Sequence, residues 1–332
     1  MAERRARFVG MALALAVLAG CSAVSPRPAS SLAARPAPTT VSANPPGDTT
    51  TDPATTTAPA PTSTATSRPP APPYPVGEAT VTLVDPSRPT VSAGRAIAPT
   101  RTLTTTVWYP QVAGRWPLVV FAHGFQVGPA TYAALLEAWA AHGYVVAAPA
   151  FPLTDEAVAG TNLDESDIQN QPADVRFVTD QLISATSPVI SHIDPSRVAV
   201  AGHSDGAETA LAAATDAPPA GAPAYRAALI LAGQPVPGVA GHNPPMLVAQ
   251  GDADDINPPS YGYAVWQQAA SPKYLLVMRG AGHLPGFQPG PWLPGVEAVT
   301  ETFLDAYLAG DATGAAISAR AAGNPYLSIR SG

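Results

Sequence analysis

From residue 76 onward the chain carries a series of short, unbroken apolar runs: "PLVVFAHG", "YVVAAPAF", "RVAVAGHS", "AALILAG", "PMLVAQGD" and "YLLVMRGAGH". Continuous apolar runs bounded by glycine or proline are the pattern of strands covered on both faces. The earlier "TLTTTVWYP" alternates at a period of two instead. Between the runs the period changes to that of a helix. In "ATYAALLEAWAAHG", Tyr132, Leu135, Leu136 and Trp139 fall on one face and Gly143 ends the segment; in "PADVRFVTDQL", Pro172 opens it and Val175, Val178 and Leu182 share a face. Strands and helices alternating in this way predict an α/β fold with a mostly parallel sheet flanked by helices on both sides.

Upstream of residue 76 this periodicity is missing. From Ser22 to about Tyr74 the chain is almost wholly Pro, Ala, Thr and Ser, as in "TTTAPAPTSTATSRPPAPP". Such a segment buries too little apolar surface to offset its ordering entropy, so the sequence predicts an extended tether able to reach roughly 160 Å in polyproline geometry. Before it, "MAERRARFVGMALALAVLAGCSA" places Arg4, Arg5 and Arg7 ahead of an apolar stretch from Phe8 to Ala19, too short to span a bilayer, and ends it at Leu18-Ala19-Gly20-Cys21. This resembles a bacterial lipoprotein signal, whose cysteine becomes lipid-modified and begins the mature chain. The expected organisation is a signal peptide over 1–20, a tether over 21–75, a folded domain over 76–310 and a C-terminal tail over 311–332. The expected location is the outer face of the cell membrane, held by a lipid on Cys21, with release as a secreted protein the alternative. The paired arginines leave either general or twin-arginine export open.

Charge and cysteine content narrow the chemistry. A net charge of −7, with no basic run after the N-terminus, argues against nucleic-acid binding. The single cysteine excludes an intrachain disulfide and any cysteine-based zinc site.

The most informative stretch is "AVAGHSDGAETAL". Gly202-His203-Ser204-Asp205-Gly206 lies between the strand-like "RVAVA" and the helix-like "AETALAAA", the setting of a nucleophile elbow, where side chains at the two glycine positions would collide with neighbouring strand and helix. A serine nucleophile needs a base and the base an orienting carboxylate, in the chain order Ser, acid, His. His283, after the last apolar run, is the candidate base. His142 reads as a helix C-terminal residue, His192 as a surface residue and His242 as part of a proline-rich loop; His203 is expected to point away from the site. For the acid, "QGDADDINPP" offers Asp252, Asp254 and Asp255; Asp254 is preferred, because Gly251 and Pro258 frame it as G-x-x-D-x-x-x-P, and Asp255 stands next. Donors for a developing oxyanion are expected from the backbone N–H of Asp205 and, after "PLVVFAHGF", of Phe125.

In these residues the chain resembles the α/β-hydrolase superfamily, and within it the esterases and lipases grouped with dienelactone hydrolases, platelet-activating-factor acetylhydrolases, chlorophyllases and cutinase-like polyester hydrolases. "VWYP", "FAHGF", "GHSDG", "GDAD" and "GAGH" carry the likeness, in that order. The resemblance implies a Ser204, Asp254, His283 triad, an acyl-enzyme, a small-molecule or polymeric ester substrate, and no metal or organic cofactor. Asp205 departs from the apolar or amide residue many relatives have there, and no cysteine pair matches the disulfide of polyester hydrolases. Only "QPVPGVAGHNPP" separates two strands where capped relatives insert a lid, so no large cap is expected. The loop over 152–171 carries Asp155, Glu156, Asp164, Glu165 and Asp167, read as solvated acids. A catalytically inactive binding lipoprotein, or an acyltransferase or peptidase using the same triad, remain alternatives to an esterase.

Overall fold

The computed structural model describes residues 71–237 and 243–332; the signal peptide, Cys21, most of the tether and His242 lie outside them. The chain enters with β1 (Val76–Asp85), the short hairpin β2 (Thr90–Ser92) and β3 (Arg95–Ala98), then β4 (Arg101–Pro110) and β5 (Trp116–Ala122). Helix α1 (Ala133–His142) and β6 (Val145–Ala150) follow, then the one-turn α2 (Glu156–Ala159), α3 (Gln171–Ile183), β7 (Ile193–His203) and α4 (Asp205–Thr215). The second half comprises β8 (Ala227–Leu231), β9 (Met246–Gly251), α5 (Pro259–Gln268), β10 (Lys273–Met278), α6 (Leu293–Leu304), α7 (Gly314–Ala321) and β11 (Leu327–Ser331).

Nine strands form one sheet in the order β1-β4-β6-β5-β7-β8-β9-β10-β11. The stretch from β6 to β10 is parallel throughout. β4 runs antiparallel to β6, β1 antiparallel to β4, and β11 antiparallel to β10. Each apolar run of the sequence is thus a parallel strand, and the alternating "TLTTTVWYP" is β4, where the sheet gives way to its antiparallel margin. Strand periodicity divides the core in two. Val119, Phe121, Ala199 and Ala201 face α1, α6 and α7 on one side, through Leu136, Trp139, Val299, Phe303 and Ile317. Leu118, Val120, Val198 and Val200 face α3, α4 and α5 on the other, through Val178, Leu211 and Val265.

Two boundaries move. The final segment is not a tail: β11 pairs with β10 from Leu327 to Ser331, α7 buries Ile317, and Gly332 exchanges backbone hydrogen bonds with Lys273. The five residues "LSIRS" are too short and too polar to signal a strand; β10 supplies the ladder that makes them one. At the other end Tyr74 already belongs to the fold, its ring packed at a tilt 5.0 Å from that of Trp116 and its N–H donating to the Ala141 carbonyl.

The acidic loop is also only partly solvated. Asp167 is buried, and both its oxygens accept from Arg101, at 2.9 and 2.8 Å; Asp174 of α3 accepts from the same guanidinium. Arg101 is itself buried, so the pair is a desolvated, bidentate staple between β4 and the loop, of the kind that costs several kcal/mol (~3–5) to break one-sidedly. Asp155 is buried and caps α2 by accepting from the Ala157 N–H. Glu156 and Glu165 are exposed as expected. Among the described residues, no helix is long and apolar enough to cross a membrane.

Candidate active site

Strand order reverses direction at β5: the chain goes from β5 outward to β6 on one side, then returns to place β7 on the other. The crevice beyond the carboxyl ends of such a pair is where open α/β sheets bind ligands. Ser204 follows β7 there and Gly124-Phe125 follow β5.

The elbow is as tight as the two glycines suggest. A Cβ on Gly202 would drive into the Gly206 carbonyl, and one on Gly206 into the carbonyls of Ala122 and His123. Ser204 sits at φ 56°, ψ −125°, a conformation costing a non-glycine residue about 1–3 kcal/mol. The surroundings hold it: its N–H donates to the Leu231 carbonyl at 3.0 Å, and its carbonyl accepts from Ala207 at 2.8 Å as α4 begins. The side chain is thereby pushed clear of the sheet.

There it meets His283. Nε2 of His283 lies 2.8 Å from Ser204 Oγ, and Nδ1 lies 2.9 Å from Asp254 Oδ2. With Nδ1–H donating to the carboxylate, Nε2 is left to accept the serine proton. Asp254 is fully engaged. Oδ1 accepts from the N–H groups of Ile256 and Asn257 at 3.0 and 2.9 Å, and Oδ2 also accepts from Gln250 Nε2 at 2.9 Å. The other two aspartates have separate places: Asp252 accepts the Gly280 N–H at 2.6 Å and ties the β9 and β10 loops, while Asp255 is exposed at the cleft rim. Ser204, His283 and Asp254 are thus brought together, and Asp255 is not in contact with the imidazole.

The loop after β5 is fixed from below. Phe151 donates its N–H to His123 Nε2 at 3.0 Å, so Nδ1 carries the ring proton and donates to the Gly124 carbonyl at 2.8 Å. Burial pushes the His123 pKa down, consistent with this neutral tautomer. Gly124 passes so close that a Cβ would lie 3.1 Å from Ser204 Cβ. Among the described residues, neither the Phe125 N–H nor the Asp205 N–H finds an acceptor. Two free amides flanking a serine hydroxyl are suited to an oxyanion.

His203 overturns its expectation. It is buried, its ring 4.7 Å from that of His283, and it forms part of the cleft wall. Strand alternation explains this: residues 199, 201 and 203 of β7 share a face, and that face lies under the loop carrying His283. His142 and His192 lie away from the cleft: His142 ends α1 and contacts Asp305 and Glu301, and His192 packs against Tyr109. The cleft measures about 430 Å³ and is walled by Phe125, Val127, Tyr132, Ile256, Leu284 and Pro285 around Ser204 and His283. Among the described residues, no group of three or more His, Cys, Asp or Glu is placed to hold a metal ion.

Asp205 and Glu208, in the first turn of α4, make an electrostatic contrast. Asp205 Oδ2 and Glu208 Oε1 are buried without hydrogen-bond partners. Burial, reinforced by the Glu165 charge and offset by His283, pushes the Asp205 pKa up to about 6. Burial, with the Asp205 and Glu165 charges added and a hydrogen bond from Gln234 opposing, pushes Glu208 up to about 7.

A mostly parallel nine-stranded sheet with helices on both faces, and a serine on the elbow after its central strand, define an α/β-hydrolase fold. Within that superfamily a family model described as Chlorophyllase matches residues 76–256, and the chain belongs to this family. The matched span contains Ser204 and Asp254 and ends before His283. No curated protein matches the chain.

Proposed function

We propose that this protein is a serine hydrolase that cleaves carboxylic esters through an acyl-enzyme. The observation supporting this most strongly is the continuous relay from Ser204 Oγ through His283 to Asp254, with contacts of 2.8 and 2.9 Å. Ser204 Oγ attacks the ester carbonyl carbon as its proton passes to His283 Nε2, and the carbonyl oxygen, now negative, accepts from the Phe125 and Asp205 N–H groups. Collapse of this adduct breaks the bond to the alcohol, which leaves with the proton from His283. Water then repeats the sequence on the acyl-serine, releasing the acid and restoring Ser204.

The apolar wall and open mouth of the cleft favour neutral acyl groups of short to medium length, or bulky esters that fill it partially, selected by shape rather than by charge. A p-nitrophenyl ester series of rising acyl length, run on the purified protein, tests this. Turnover that declines gradually beyond medium chains supports the reading, and activity confined to one charged substrate contradicts it.

The proposed location is the outer face of the cell membrane, through a lipid on Cys21. This rests on the residue pattern of positions 1–21, since a lipid anchor supplies the affinity that the short apolar segment, once removed, does not. Cys21→Ala should lose the protein from the membrane fraction or leave it unprocessed; a processed variant that stays membrane-bound contradicts the anchor.

A further inference from the structure

We infer that His203 and Tyr132 form a positioning pair that locks the loop bearing His283 to the loop bearing Phe125. The inference rests on the serine hydrolase reading and adds to it two residues of the cleft wall that act through the His283 and Phe125 loops rather than on the transferred proton.

The hydrogen bonds form a chain with only one consistent direction. The Gly124 N–H can only donate, and it reaches Tyr132 Oη at 3.2 Å. Tyr132 Oη lies 2.8 Å from His203 Nδ1, and His203 Nε2 lies 2.9 Å from the carbonyl oxygen of His283. That carbonyl can only accept, so Nε2 carries the proton; in a neutral ring Nδ1 is then bare and takes the tyrosine proton. Every group is satisfied in this arrangement. A doubly protonated His203 would aim Nδ1–H at an oxygen already accepting from Gly124, leaving the tyrosine proton to find another partner. Burial and the adjacent His283 push His203 down to about 3, and burial pushes the Tyr132 phenol upward, so both keep these states.

Packing makes the chain rigid. The His203 ring is held among Tyr132, His283 and Phe287, at centroid distances of 5.4, 4.7 and 5.1 Å. Tyr132 in turn packs 4.8 Å from Phe121 of β5. Three segments that meet at Ser204 are therefore tied through one imidazole: the Gly124-Phe125 loop, the elbow and the His283 loop. His203 grips the main chain of His283 rather than its ring, so it sets where the imidazole stands between Asp254 and Ser204. It stays neutral, so it adds no repulsion to the imidazolium that His283 becomes during turnover.

The test is steady-state hydrolysis of a p-nitrophenyl ester by full-length His203→Phe, His203→Gln and Tyr132→Phe, across pH, beside Ser204→Ala and with melting curves for each. A displaced base costs rate, so His203→Phe should lose about ten- to a hundred-fold in kcat with KM within about threefold. Its acid limb in kcat/KM should move to lower pH, because the imidazolium loses part of its contact with Asp254. His203→Gln, whose amide can still donate to the His283 carbonyl, should recover most of the rate; Tyr132→Phe, which keeps the ring and loses only the hydroxyl, should lose about three- to tenfold. If His203→Phe does not fold, the other two variants decide. Wild-type kcat and an unmoved acid limb in the folded variants, with Ser204→Ala inactive, overturn the positioning role alone. Hydrolysis persisting in Ser204→Ala overturns the serine reading beneath it.

Discussion

Two aspartates approach the same serine and histidine and are treated in opposite ways. Asp254, on the loop after β9, is buried yet has four donors on its two oxygens: two main-chain N–H groups, Gln250 and His283. Asp205, the residue after Ser204, has an oxygen in the interior with no donor, near Glu165 and Glu208. The comparison shows that burial alone does not make a carboxylate useful. Four donors fix the Asp254 carboxylate in place against an imidazole, whereas desolvation without donors drives Asp205 toward its neutral form. One side chain holds the His283 imidazole; the other lies at the start of α4 with an oxygen that no donor reaches.

The sharpest way to break this comparison is to exchange the consequences. Asp254→Ala should reduce kcat by roughly a thousand- to ten-thousand-fold in a folded protein, since the imidazole loses its orientation and its counter-charge. Asp255→Ala should stay within about threefold, as its side chain is at the rim. A large loss in Asp255→Ala with an active Asp254→Ala reverses the assignment.

Removing one donor from Asp254 gives a smaller effect. Gln250 is buried and donates from Nε2 to Asp254, with the carbonyl of Asn257 at 3.0 Å from the same nitrogen. Gln250→Leu should lower kcat about tenfold and stability by about 1–2 kcal/mol, read from kinetics and chemical denaturation.

Asp205 should respond in the other direction. Unfolded, its carboxyl releases the proton near 3.8, whereas folded it holds it to about 6. Between these values the native state binds more protons than the unfolded chain, so the contribution of Asp205 falls as pH rises from about 4 to about 6, and the full penalty remains above. Asp205→Asn should therefore stabilise the protein at pH 8, by about 1–2 kcal/mol after allowance for solvent screening, and by nothing near pH 4. Equal shifts at both pH values in paired denaturation curves contradict the electrostatic account. Glu208→Gln should give a similar gain in a window displaced upward, from about 4.5 to about 7. The double variant should gain less than the sum of the two single gains, because the Asp205 charge is part of what raises Glu208.

The parallel core was legible because strands covered on both faces are apolar almost throughout, and each strand from β5 to β10 carries such a run. The elbow was legible because two positions tolerate no Cβ, which leaves glycine visible in the sequence on either side of Ser204. The place of Asp254 beside His283 was legible through its loop frame. The margins were not: "LSIRS" becomes a strand only because β10 offers its edge. Asp167 was read as solvated because its partner, Arg101, is 66 residues away and nothing local announces it. His203 was misplaced for a related reason. A strand-end side chain points to one face or the other, and which face carries the base depends on how the loop after β10 folds back, a property of tertiary packing rather than of local pattern.

The central claim is that Ser204 is a nucleophile activated by His283. The most direct measurement is covalent labelling of the purified full-length protein with a fluorophosphonate, followed by intact mass and peptide mapping. A single adduct is expected on Ser204 in the wild type, none in Ser204→Ala, and labelling slowed by roughly a thousand-fold or more in a folded His283→Ala. An unlabelled wild-type protein, or an adduct at another residue that persists in Ser204→Ala, would contradict it.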